Sequence, residues 1–301
     1  MPYYRTVGEI PKKRHTQFRK PDGGLYSEEL MGEEGFSDDS ALLYHLNPPT
    51  AIIDSVAVDG PTSRRVPNQP LLPRHFKTHK LDSAASHDPV LGRQHLFANG
   101  DIRISYVAAR QPSPLYRNAI GDECVYVESG TAVLESVFGA LEVGPGDHVL
   151  VPASATHRWV PTGDEPLRTL VVEASGGGHI TPPRRYLSVP RLFDYHPHAI
   201  PAPYNHATVD SDEILFYVGG DFMSRKGAGV EMGSLTLHPA GFVHGPQPGS
   251  VEASIGKKDT EEYAVMIDTF KPLELCEPVF ACEDTSYAWS WSGGRKVQGD
   301  R

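Results

Sequence analysis

Cysteine is scarce in this chain: Cys124, Cys276 and Cys282 are the only three among 301 residues. Three thiols cannot form a paired framework, and no two of them stand at CxxC spacing. That excludes a disulfide-stapled scaffold and a zinc ribbon. Free, buried thiols in a reducing cytosol are the plain expectation, so the chain is read as cytoplasmic. A basic surplus is missing as well. Lysine and arginine total 28 against 38 acidic residues, a formal charge of −10, which argues against a nucleic-acid partner. The short basic cluster Lys12-Lys13-Arg14 reads as a solvated tail. No apolar run approaches membrane-spanning length, and MPYYRTVGEIPKKRH lacks the apolar stretch of a secretory leader. Neither a membrane nor export is expected.

Turn formers, by contrast, are plentiful, with 29 glycines and 27 prolines. They punctuate the chain and favour many short strands over long helices. Residues 1–100 carry little periodic signal and read as an N-terminal arm with a partial sheet. Its apolar stretches, Leu42–Leu46 and Ala51–Val58, keep it from being wholly disordered. From Asp101 the text changes. Ile102–Val107 alternates like a half-buried strand, and Cys124–Glu128, Ala132–Val137, His148–Pro152, Arg158–Pro161 and Arg168–Glu173 follow, with turn signals between. A second series contains Ile214–Val218, Gly233–Leu237 and Glu262–Phe270. The expected organisation is an arm (1–100), a first β-domain (101–175), a linker (176–203), a second β-domain (204–284) and a tail (285–301). Tyr287, Trp289 and Trp291 predict that the tail's first part docks on the body.

The two series match each other. Glu123 and Glu213 are each preceded by aspartate and followed, after six intervening residues, by Gly130 and Gly220. Gly146-x5-Pro152-x4-His157 is matched by Gly233-x5-Pro239-x4-His244. The offsets are 90 residues for the first pattern and 87 for the second. Self-similarity at this period means a duplicated domain. LYRNA (Leu115–Ala119) stands against PYNHA (Pro203–Ala207), which places Asn118 where the second half has His206.

These patterns resemble the two motifs of the cupin superfamily, small antiparallel β-barrels of jelly-roll type. Pro239-Ala240-Gly241-Phe242-Val243-His244 fits the second motif in full, and Pro152–His157 fits with Ser154 in place of the glycine. The resemblance implies an all-β double cupin. Two imidazoles and one carboxylate suit divalent iron, leaving positions for oxygen and substrate. His206, Glu213 and His244 supply such a set in the second half, with Asp212 the alternative carboxylate; Glu213 keeps register with Glu123. The first half keeps Glu123 and His157 but lacks the third ligand, so its site is read as degenerate and structural. His196 and His198 are read as loop residues.

A closer resemblance is carried by YNHATVDSDEILFYVGGDF, GSLTLHPAGFVHGPQPG, SPLYRNAIGDECVYVESG, the stretch from Lys12 to Ile52, and the YAWSW of the tail. Together these are similar to the homogentisate 1,2-dioxygenase family, in its actinobacterial-type branch. The chain is shorter than that family near Ser188–Arg191, where YLSVP runs almost directly into RLFDYHPHAIP. The resemblance implies an Fe(II) enzyme that opens homogentisate with O2 to maleylacetoacetate, in tyrosine and phenylalanine catabolism. It implies iron on His206, Glu213 and His244, substrate contacts from Tyr204 and His238, His238 as catalytic base, and a homo-oligomer. Two other readings stay open: another metallocupin enzyme, such as an isomerase using Mn, Ni or Zn, and a non-catalytic bicupin that binds a small molecule.

Overall fold

The computed structural model describes residues 9, 11–13, 15–32, 40–51, 53–58, 63–81, 88–180, 200–203, 205–225, 227–258 and 262–292. The chain divides into two compact units, Met1–Asp59 and Gly60–Arg301. In the first, β1 (Ser27–Gly32) and β2 (Ser40–His45) pair antiparallel, with Ser27 opposite His45 and Gly32 opposite Ser40. Phe18 packs on this hairpin, 4.8 Å from the Tyr26 ring and edge-on to Tyr44 at 5.2 Å. The apolar stretch Leu42–Leu46 thus falls largely on β2, whereas the described part of 51–58 lies outside any strand.

The second unit contains β3 (Arg65–Pro67), β4 (Arg74–Lys77), β5 (Gln94–Ala98), β6 (Arg103–Ala109) and β7 (Glu123–Ser129). It continues with β8 (Thr131–Ser136), β9 (Gly139–Val143), β10 (His148–Val151), β11 (His157–Thr162) and β12 (Leu167–Glu173). β13 (Asp212–Gly220), β14 (Ser234–His238), β15 (Glu262–Thr269) and β16 (Glu274–Cys276) complete it. They form a seven-stranded sheet, β10-β7-β12-β6-β5-β16-β3, a three-stranded sheet, β11-β8-β9, and a four-stranded sheet, β15-β13-β14-β4. All pairings among these strands are antiparallel, as expected for a jelly-roll architecture. Each strand read from the sequence's alternation is present.

The two halves exchange edge strands. β4, from the front of the unit, extends the sheet of β13–β15, and β16, from its back, pairs with β5 in the other sheet. Residues 65–98, grouped with the arm at the sequence level, therefore supply β3, β4 and β5 to these sheets. The exchange joins the halves through a shared core. Phe97, Ile104, Tyr106, Tyr126 and Leu170 of the large sheet cluster with Phe76, Ile214, Phe216, Leu235 and Leu237 of the four-stranded sheet. Phe216 lies 6.2 Å from the rings of both Tyr106 and Tyr126. Each such burial stabilises by roughly 1.5–3 kcal/mol.

Side chains alternate along a strand, so the opposite face of each sheet is left for polar chemistry. Ile214 and Phe216 enter the shared core, and Glu213 between them and Asp212 faces away from it. The same parity puts Tyr126 in the core and Glu123 inside the first barrel. That barrel is closed by the β11-β8-β9 sheet; among the described residues the second half has no corresponding sheet.

Candidate metal centre

Glu213 is the second residue of β13 and sits directly opposite His238, the last residue of β14. After His238 the chain turns through Pro239-Ala240-Gly241, where Gly241 takes a left-handed φ of 73°. Two backbone bonds fix the turn: Gly241 N–H donates to Thr208 O at 2.6 Å, and Ala240 N–H donates to Asp212 Oδ1 at 2.9 Å. Asp212 Oδ2 in turn accepts from Leu273 N–H at 2.8 Å. Both Asp212 oxygens are therefore spent on backbone, so Asp212 anchors the turn and Glu213 is the carboxylate left for a site. The turn delivers His244 to an isolated bridge with His206, in which each residue's N–H donates to the other's carbonyl, at 2.8 and 2.9 Å.

One candidate ligand atom from each of His206, Glu213 and His244 lies within 4.8 Å of the other two. Glu213 and His244 are buried and His206 half-buried. The His206 and His244 rings meet edge-on at 4.5 Å. His244 Nδ1–H donates to Phe242 O at 3.0 Å, which leaves Nε2 as a bare acceptor. That Nε2 is buried without a hydrogen-bond partner and faces Glu213 Oε1 at 3.3 Å. Two lone-pair groups turned on one another in a buried space repel unless a cation lies between them. An imidazole whose far nitrogen is tied to a backbone carbonyl is also the usual form of a metal-bound histidine. The donor set and the orphaned nitrogen thus fit a divalent metal ion.

His238 belongs to the same cluster in a different capacity. Its Nδ1 lies 2.9 Å from Glu213 Oε1 and its Nε2 lies 3.0 Å from the Tyr287 hydroxyl. A carboxylate only accepts, so Nδ1–H donates to Glu213 and Nε2 accepts from Tyr287. The ring stacks on His244 at 4.0 Å and is 0% exposed. Burial pushes its pKa down to about 3. Burial alone would raise the Glu213 carboxyl, but the hydrogen bond from His238 holds it well below the usual carboxylate range. The sequence reading gave His238 the parts of base and substrate contact. In this arrangement its Nδ1 is taken by Glu213 and its Nε2 by Tyr287, so the ring is placed to orient the carboxylate. Tyr204, the other substrate contact expected from the sequence, lies outside the described residues, as do His196 and His198.

The first barrel repeats this backbone. Tyr116 and His157 form the bridge that His206 and His244 form in the second, at 2.8 and 2.9 Å. Ala153 N–H donates to Asp122 Oδ1 at 2.7 Å, as Ala240 does to Asp212. Ser154 adopts a φ of 66° at the place of Gly241. These contacts correct one alignment. Asn118 pairs with Ser154 as Thr208 pairs with Gly241, so the residue standing where His206 stands is Tyr116, not Asn118. The similarity of LYRNA to PYNHA pulled the sequence register two residues out of place.

Where the second barrel sets imidazoles against its carboxylate, the first sets an arginine. Arg93 Nη2 donates to Glu123 Oε2 at 2.7 Å, its Nη1 lies 3.6 Å from Glu173 Oε1, and its guanidinium stands 5.8 Å from the centre of the Tyr116 ring. Asn118 Nδ2 donates to the other Glu123 oxygen at 2.9 Å. Burial opposes the charge on Arg93, but Glu123 and Glu173 outweigh it and raise its pKa. Sequence reasoning missed Arg93, because it lies outside both motifs and reaches the site from just before β5. It missed Tyr287's place in the second site for the same reason; the only signal was a cluster of aromatics in a polar tail.

Comparison with known proteins agrees with this architecture. A model of the cupin domain matches residues 107–173. A protein of Saccharolobus solfataricus described as a "putative dioxygenase" is 31% identical over 389 aligned positions, covering 97% of this chain and 99% of that protein. The alignment is longer than the 301 residues of this chain, so the relative carries segments with no counterpart here. Among solved structures, a cupin 2 conserved barrel domain protein from Leptotrichia buccalis is 10% identical, with 67% of this chain and 96% of that one covered and a TM-score of 0.41. A sugar phosphate isomerase of the cupin superfamily from Silicibacter pomeroyi is 28% identical, with 28% of this chain and 59% of that one covered and a TM-score of 0.25. With a cupin domain recognised in its first barrel and a relative of this identity along its whole length, the chain belongs to the cupin superfamily, in the family of the Saccharolobus protein.

Proposed function

We propose that this protein is an Fe(II)-dependent dioxygenase that holds its metal on His206, Glu213 and His244 and opens the ring of a small dihydroxyphenyl acid with O2. The full-length relative described as a dioxygenase supports the reaction class. The resemblance of its sequence motifs selects homogentisate as the substrate. The observation that carries the site is the bare His244 Nε2 facing the Glu213 carboxylate across 3.3 Å. Iron held by two imidazoles and one carboxylate would supply the redox chemistry between the aromatic ring and oxygen. The protein's own part is positional. Phe242 O fixes the His244 tautomer, His238 fixes the Glu213 carboxylate, and Glu213 stays ionised to hold the metal. The other partners in this reading are further copies of the same chain.

The test is oxygen consumption by anaerobically Fe(II)-loaded protein given homogentisate. Uptake of one O2 per substrate, lost in Glu213→Ala, is expected. Bound iron without uptake would overturn the substrate, and absence of metal binding would overturn the site.

A further inference from the structure

The short turn Tyr287–Ser292 lies far along the chain from the three candidate ligands, yet it reaches both arms of their cluster. One contact is the Tyr287 hydroxyl. It lies 3.0 Å from His238 Nε2, whose ring passes the bond on to Glu213 through Nδ1 at 2.9 Å. Tyr287 is 1% exposed, so that hydroxyl is shielded from bulk water. The second contact is Trp291, whose Nε1–H donates to Gly245 O at 3.1 Å, next in the chain to His244. Arg225 donates to the same carbonyl and also to the Tyr217 hydroxyl at 3.2 Å, and its guanidinium lies 5.9 Å from the Trp291 ring centre. Ser290 Oγ accepts from Gln247 Nε2 at 2.8 Å, three residues past His244. Tyr287 and Trp291 pack edge-on at 5.1 Å, which links the two contacts.

A five-residue span thus touches the group that aims Glu213 and the backbone that carries His244. A surface tail docked only for packing would need no such polar contacts. We propose that the turn Tyr287–Ser292 is a clasp that sets the geometry of the metal centre, with Tyr287 positioning Glu213 through His238 and Trp291 positioning His244 through Gly245. The inference rests on the metal reading of His206, Glu213 and His244. It assigns Tyr287 and Trp291 as positioning residues, which touch neither metal nor substrate. Groups that orient metal ligands from behind typically change metal affinity by 10–100-fold when removed.

The experiment measures cobalt(II) affinity and the visible cobalt absorption of the full-length wild type, Glu213→Ala, Tyr287→Phe and Trp291→Phe, with thermal melting of each metal-free protein alongside. Wild type is expected to bind cobalt and Glu213→Ala to lose it. Tyr287→Phe, which removes one oxygen and keeps the ring, is expected to weaken binding by about 10-fold and to shift the cobalt bands. Trp291→Phe should move both readouts in the same direction and keeps the test decisive if Tyr287→Phe does not fold. Unchanged affinity and bands in the phenylalanine variants, beside a wild type that binds and a Glu213→Ala that does not, would overturn the clasp while leaving the site intact. Weaker binding with unmoved bands and a proportionate loss of apo stability would also overturn it, as plain packing. Failure of the wild type to bind cobalt would overturn both readings.

Discussion

In the first barrel the carboxylate of Glu123 meets a guanidinium; in the second the equivalent carboxylate of Glu213 meets two imidazoles. The backbones around them share the paired bridge, the aspartate-anchored turn and the left-handed residue within it. A buried carboxylate needs positive charge close by. Arg93 supplies it in the first barrel as a fixed side chain of the protein. The second has no such arginine against its carboxylate among the described residues, and its donor set suits an exchangeable ion. One duplicated frame thus serves a structural salt bridge in one half and a candidate metal centre in the other.

The largest effect comes from breaking the metal side. Glu213→Ala should reduce metal affinity by at least about 100-fold, since it removes a proposed ligand that His238 orients. Glu123→Gln should leave metal content unchanged, with both compared by plasma emission after dialysis. Breaking the salt-bridge side comes next. Arg93→Met leaves Glu123 and Glu173 buried without their shared cation and should cost about 3–5 kcal/mol in urea unfolding. Adding Tyr116→His to that variant should sharpen the comparison further, raising bound metal from one to two per chain.

A pH effect should touch both halves alike. His75 on the four-stranded sheet and His95 on the seven-stranded sheet are buried, and that burial lowers each pKa from 6.5 to about 4. The unfolded chain therefore binds protons that the native state refuses between those values. Their contribution is present in full above pH 6.5 and is lost as pH falls towards 4. Melting temperature should fall across that window, with these two histidines together taking up roughly two protons on unfolding. Replacing either histidine by asparagine should flatten the slope. The smallest effect concerns the one position where the repeat breaks its own rule. Ser154 holds a φ of 66°, where Gly241 holds 73°. Ser154→Gly should stabilise the first barrel by about 0.5–1 kcal/mol in thermal unfolding, because a side chain is strained in that region.

Much of this was legible in the sequence, for identifiable reasons. Strands with one face in the shared core alternate, so β6 to β8, β10 to β15 and the duplicated frame could be read directly. The ligand types stood at motif positions, so His206, Glu213 and His244 could be picked out before any geometry was available. What was hidden depends on contacts across long stretches of chain. β3, β4 and β16 are three or four residues long, too short for a period to show, and β4 and β16 pair across the two halves. Arg93 and Tyr287 belong to no motif and enter their sites from remote segments. The displacement of Asn118 by Tyr116 shows the converse: local likeness can outvote the backbone when the side chains that must match are separated by two residues.

His157 and His244 are the residues on which the comparison turns, since they are equivalent in backbone and each is buried with an unpartnered Nε2. The most direct measurement is metal per chain in the wild type, His157→Ala and His244→Ala. The account predicts one ion in the wild type, one in His157→Ala and none in His244→Ala. Two ions in the wild type, or loss of the ion in His157→Ala with retention in His244→Ala, would contradict it.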